Sequence, residues 1–91
     1  MRHIIKEEQA IYRLNKKGAD ALKTSELIAI ILGGSNNKST QKTAEELLTK
    51  FEGNLTRLAR ATSRELGIEG IGPVKASQII AAIQLGIRIS S

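Results

Sequence analysis

Apolar residues recur at helical spacing along most of the chain, with polar, Gly-rich breaks between the runs. Residues 4–17 read as a first helix or arm. Ile4, Ile11 and Leu14 share a face, Lys16 and Lys17 suit the C-terminal end, and Gly18 stops it. Ala19 to Lys23 is a link. Thr24 and Ser25 are both good N-caps for a helix carrying Leu27, Ile28, Ile30, Ile31 and Leu32. Apolar nearly all round, it is expected to be buried as the central helix. Its isoleucines would also suit a strand, but the caps, Glu26 in the first turn and the lack of a partner strand favour helix. Gly33 to Ser39 is polar and turn-rich, a surface loop. Thr40 is expected to cap the next helix, whose Ala44, Leu47, Leu48 and Phe51 face inward while Lys42, Glu45, Glu46 and Lys50 face water. Gly53 ends it. Asn54 then caps a short helix with Leu55, Leu58 and Ala59 inward and Arg57, Arg60 and Arg64 on or near its outer side. Thr62 and Glu65 have capping-box spacing for a helix of one or two turns. The last helix runs from Pro73 towards Ile89, with Ala76, Ile79, Ile80, Ile83 and Ile87 in one stripe. The expectation is all-α: a compact bundle of about five or six short helices.

The stretch Ile68-Glu69-Gly70-Ile71-Gly72-Pro73-Val74-Lys75-Ala76 carries the most chemistry. Gly70 and Gly72 can take positive φ and lack a Cβ, so the chain can reverse tightly and stay approachable. Ile71 between them is expected to point inward and pin the turn. Pro73 suits the first helical position, where its missing N–H would be unpaired anyway. The free amides of that first turn, the helix dipole and Lys75 together make an anion site. This is the pattern of a helix-hairpin-helix motif, which holds a nucleic-acid phosphate on backbone amides. An ordinary corner between two helices, stopped by Gly and restarted by Pro, would use the same residues.

A fainter echo runs from Leu27 to Ala44, again helix, Gly-containing loop, helix. Gly34, Lys38, Ser39 and Thr40 would there hold the opposite strand of a duplex. That copy has a longer loop and no apolar residue between its glycines, so it is degenerate, and a plain connector would read the same way. The division expected is one domain over 1–91, with an N-terminal helix or arm in 1–17, the degenerate hairpin in 24–52 and the second in 63–90.

Composition sharpens this only in part. Ninety-one residues with 41% apolar content support one modest core. Tyr12 and Phe51 are the only aromatics, which argues against base stacking on aromatic platforms. The net charge of +5 favours a polyanionic partner. There is no cysteine, so neither a disulfide framework nor a thiolate metal site is expected. The N-terminus lacks the apolar stretch of a signal peptide, and Leu27 to Leu32 is too short to cross a bilayer. A cytoplasmic protein without membrane contact is expected.

Catalytic constellations are missing. His3 stands alone where zinc hydrolysis would need three ligands, so no metal site is expected. Glu7-Glu8 and Glu45-Glu46 are adjacent on helices and diverge. Gly33 to Ser39 lacks the ending of a phosphate-binding Walker loop. No catalytic residue, no cofactor and no enzyme activity are expected.

Two stretches carry a family likeness: Gly18-Ala19-Asp20-Ala21-Leu22, and Ser25-Glu26-Leu27-Ile28-Ala29-Ile30-Ile31-Leu32. With Ala44-Glu45-Glu46-Leu47-Leu48, Gly53-Asn54-Leu55, the hairpin and Ile83-Gln84-Leu85-Gly86-Ile87-Arg88, the sequence resembles the N-terminal domain of the RadC-like family. The likeness keeps these segments in order over residues 12–90. It implies a paired helix-hairpin-helix fold similar to SAM domains and RuvA domain 2, and DNA binding. In that family the domain normally precedes a metalloprotease-like domain of the JAB/MPN type, here a possible partner. The family's name suggests DNA repair.

The expected function is therefore non-sequence-specific binding of duplex or branched DNA through its phosphate backbone. The residues expected to carry it are Gly70, Ile71, Gly72, Val74 and Lys75, with Gly34, Lys38, Ser39 and Thr40 on the second strand. Two to four phosphates would give a log–log salt slope of about −2 to −4 and roughly micromolar or weaker affinity. The alternative is a protein-interaction module docking on a partner or C-terminal domain, with Ile87 and Ile89 as the contact strip.

Overall fold

The structure is a computed structural model that describes residues 9–33 and 38–90. Five α-helices and one 3-10 turn account for its regular structure: α1 Ala10–Lys17, the turn Ala19–Ala21, α2 Thr24–Ile31, α3 Lys38–Lys50, α4 Leu55–Ala59 and α5 Pro73–Ser90. No strand occurs among the described residues, so the chain is all-α, as its periodicity predicts. The contacts divide into two compact units, and the boundary falls inside α3 between Glu45 and Glu46.

In the first unit α1 packs on the 3-10 turn and on α2. Gly18 ends α1 with φ 92° and donates its amide to the Leu14 carbonyl at 2.9 Å, a conformation that glycine adopts without a Cβ penalty. The buried residue of α1 is Ala10, whereas Ile11, placed on one face with Ile4 and Leu14, is 50% exposed, so the packed face is rotated from that one. Ile4 lies outside the described residues. The reason for the rotation is electrostatic as well as apolar. Arg13 shares the Ala10 face and turns its guanidinium onto the Glu26 carboxylate of α2, as a two-point ion pair. Glu26 Oε1 also accepts the Lys23 amide at 2.8 Å. Lys23, extended at φ −72° and ψ 157°, is thus the N-cap of α2, and Thr24 and Ser25 lie inside the first turn instead of capping it. The isoleucine-rich segment is helical, with Ile28 and Ala29 buried and Leu27, Ile30 and Ile31 half-buried.

The second unit is held by Leu47, Phe51, Leu58, Leu66, Ile71, Ala76 and Ile79, all buried. Fully burying a large apolar side chain of this kind is worth about 1.5–3 kcal/mol. The end of α3 is closed by Glu52 (φ 55°) and Gly53 (φ 73°), the Gly53 amide reaching the Leu48 carbonyl at 2.8 Å. Asn54 caps α4 as expected, its Oδ1 accepting the Arg57 amide at 3.0 Å. Leu58 and Ala59 point in, but Leu55 is 36% exposed and so does not belong to the core. α4 packs on α5. The helix predicted after Thr62 is a single turn: the Gly67 amide bonds the Arg64 carbonyl at 3.1 Å and closes it. Its capping box is present, with Thr62 N donating to Glu65 Oε1 at 2.8 Å and Glu65 N to Thr62 Oγ1 at 3.2 Å. Lys50 fastens this turn to the end of α3 by donating to the Glu65 carbonyl.

Candidate nucleic-acid interface

Residues 68–71 form a tight turn, closed by the Ile71 amide donating to the Ile68 carbonyl at 3.0 Å. Gly70 occupies the third position with φ 95°, which a side chain would oppose. Gly72 does not need that freedom, because its φ is outside the left-handed region, contrary to the pairing of both glycines in one role. Its missing Cβ serves access instead: an added Cβ would meet nothing within 4 Å. Ile71 is 5% exposed and pins the turn to the core. Its amide is already used, so its contribution is positional. The first α-helical bond of α5 runs from Ala76 N to the Gly72 carbonyl at 2.9 Å. Gly72 is therefore the N-cap and Pro73 the first helical residue.

That register leaves a row of open donors. The amides of Gly70, Gly72, Val74 and Lys75 find no acceptor among the described residues. Gly72 and its neighbours Pro73 and Val74 are exposed, and Lys75 is half-buried in the first turn of the helix. Val74, 69% exposed, shields nothing. Backbone N–H groups at the positive end of an 18-residue helix, with an ammonium beside them, can hold an oxyanion. The exposed Glu69 is the one carboxylate within this turn.

The other predicted group divides. Gly34 lies outside the described residues. Lys38, Ser39 and Thr40 all fall inside the first turn of α3, so Thr40 is not the residue that precedes the helix. Lys38 and Ser39 are exposed and Thr40 is half-buried. The Ser39 carbonyl accepts from Thr43 Oγ1 at 3.1 Å.

Two concave surfaces flank the hairpin's unit, and hydropathy and spacing single out neither. One, of about 450 Å³, is lined by Asn54, Arg57, Arg60 and Glu65 among others. Arg57 is committed there: it pairs with Glu52 at 3.0 Å and lies over the Phe51 ring at 5.6 Å. Glu65 is held below the usual carboxylate range, chiefly by the Thr62 amide and then by the Thr62 hydroxyl. The second, of about 350 Å³, is lined by Ser63, Arg64, Gly67, Ile71 and Pro73, so it opens beside the hairpin itself. Spacing could not reveal either, because the first depends on how the Thr62 turn comes back beside α4 and the end of α3, and the second on how that turn meets the start of α5. Among the described residues no three His, Cys, Asp or Glu side chains come together as a metal site. No described helix is long and apolar enough to cross a membrane.

These features define a small all-α module whose last hairpin opens a long helix with uncommitted amides. The chain belongs to the UPF0758 family: the family model described as UPF0758 N-terminal matches residues 1–77, which bears out the likeness to the RadC-like proteins. It is similar to a UPF0758 protein of Bacillus cereus, 44% identical over 91 residues, with 98% of this chain and 40% of the relative covered. UPF0758 proteins of Bacillus cereus (strain AH187) and Bacillus thuringiensis subsp. konkukian (strain 97-27) are each 43% identical over the same share of both chains. The chain thus spans 40% of the length of these curated relatives. No solved structure matches it.

Proposed function

We propose that this chain is a non-sequence-specific DNA-binding domain that acts in the cytoplasm and grips backbone phosphate through its second hairpin. The chain itself carries no catalysis in this reading, and the repair role suggested by the RadC name is the setting in which such binding would be used. One observation carries the proposal. The amides that open α5 have no acceptor among the described residues, whereas the starts of α2 and α4 and the Thr62 turn each engage a side-chain oxygen from the chain itself. A bound phosphate would supply the acceptor that α5 lacks, with Lys75 beside it. Phosphate contacts position a protein without reading bases, so duplexes of different sequence should bind alike.

Titration of a short labelled duplex with the native chain and with Lys75→Glu, at two salt concentrations, tests this. Binding should be about micromolar in low salt, weaken steeply with salt, and fall at least about tenfold in the variant. Equal binding by a folded Lys75→Glu chain would remove the hairpin from consideration.

A second reading is favoured by the far end of α5, where Leu85 is 61% and Ile89 85% exposed. It makes the domain a docking module, with the metalloprotease-like domain of the RadC-like family as the partner. Undiminished DNA binding in every hairpin variant would move it ahead.

A further inference from the structure

Resting on the phosphate-binding reading of the hairpin, we propose that the groove of Ser63, Arg64, Gly67, Ile71 and Pro73 is a second anion subsite. It takes the adjacent phosphate of the strand held by the hairpin amides. Four observations carry this. The groove shares Ile71 and Pro73 with the hairpin, so its mouth adjoins the open amides. Arg64 is exposed and forms no ion pair or hydrogen bond through its side chain among the described residues, and the Ser63 hydroxyl is equally uncommitted. Among the described residues no carboxylate lines this groove, whereas the larger one contains Glu65 together with an Arg57 already engaged by Glu52. Gly67 keeps the floor low: a Cβ there would lie 3.1 Å from the Arg64 carbonyl and push against the turn that carries the guanidinium.

The turn is also built to hold Arg64 in place. Both ends of the Thr62–Glu65 capping box are closed, Leu66 is fully buried, and Lys50 is bonded to the Glu65 carbonyl. A guanidinium fixed at its backbone suits the bidentate geometry of a phosphate better than a free surface lysine would. The subsite therefore sets the path of the strand: from the start of α5 across Pro73 and over the Thr62 turn.

The test is the same duplex titration over a range of salt, using the whole chain with Arg64→Ala, Arg64→Lys and, as a control outside the groove, Arg60→Ala. Arg64→Ala should weaken binding about threefold to tenfold and make the salt slope shallower by about one, as expected for one lost phosphate contact. Arg64→Lys should restore the slope, and Arg60→Ala should keep it native. If Arg64→Ala binds with native affinity and slope while Lys75→Glu is impaired, the subsite is wrong and the hairpin reading stands. If Arg60→Ala and Arg64→Ala lose slope equally, the effect is diffuse charge and the subsite is wrong. If the native chain fails to bind in low salt, the hairpin reading falls and takes the subsite with it.

Discussion

α2 and α5 begin in opposite ways, and the difference locates the proposed function. At α2 the Glu26 carboxylate folds back to accept the Lys23 amide and also holds Arg13, so the helix start carries its own counter-charge and lies against α1. At α5 the N-cap is Gly72, which has no side chain to offer, and the next residue is a proline without a donor. The Val74 and Lys75 N–H groups are left without an acceptor among the described residues. A side-chain oxygen in place of a glycine cap is worth a few tenths of a kcal/mol, roughly 0.3, so its omission at the start of α5 costs little stability. The α2 start has one amide answered by its own carboxylate, that of Lys23, with the Thr24 and Ser25 amides left over among the described residues. The other is open to a ligand.

Closing the open start should produce the largest effect and break the contrast directly. Gly72→Asp puts a carboxylate where the phosphate is proposed to sit, and space allows it because nothing lies within 4 Å of the new Cβ. Its oxygen would cap Val74 or Lys75 N–H, raising stability by about 0.5–1 kcal/mol. Duplex binding should fall about 30-fold, equivalent to about 2 kcal/mol. Melting curves and anisotropy titrations read the two quantities separately. A rise in stability with undiminished binding would show that those amides never met the phosphate.

Opening the closed start should do the reverse. Glu26→Ala removes the partner of Arg13 and the acceptor of the Lys23 amide, at a cost of about 2 kcal/mol in urea unfolding, with duplex affinity unchanged. The effect should be pH-dependent. The hydrogen bond from Arg13 holds the Glu26 carboxyl below its ordinary value of 4.5, against burial and with help from the Lys23 amide. A depressed folded-state pKa means that this stabilisation is complete above the ordinary value and is lost as pH falls through the depressed one. The gap between native and variant stability should therefore be constant near neutrality and close in acid. A gap that widens in acid would show that Arg13 is not what holds the carboxylate.

These contrasts also explain what is legible in the sequence. Local chemistry is: Gly18 as a stop, Asn54 as a cap, the Thr62–Glu65 box and the Ala44–Leu47–Phe51 face all depend on residues within about two turns of one another. Tertiary chemistry is not. The Arg13–Glu26 pair joins residues 13 positions apart, and the same carboxylate accepts the Lys23 amide at the start of α2. The turn at Gly70 and the helix start at Pro73 are legible, since a positive-φ glycine and a proline at the first helical position are local signals. The separate roles of the two glycines are not, because φ at Gly72 is fixed by the register of α5. The groove at Arg64 is hidden for the same reason, being made by chain that returns to Pro73 from α4.

The smallest effect expected lies at the other end of α5 and sharpens the comparison by separating the two readings of the domain. Leu85 lies 11 residues beyond Val74, about 17 Å along the helix axis at 1.5 Å per residue, too far to share a phosphate with the hairpin. Leu85→Gln with Ile89→Gln replaces two exposed apolar side chains by polar ones, so stability should change by no more than about 0.5 kcal/mol. Duplex affinity and salt slope should stay native. Weaker duplex binding in this double variant would mean that the exposed strip, rather than the open amides, faces the nucleic acid. Unchanged binding, together with its loss in Gly72→Asp, would assign the two ends of one helix to different surfaces: backbone donors at the start, apolar side chains at the finish.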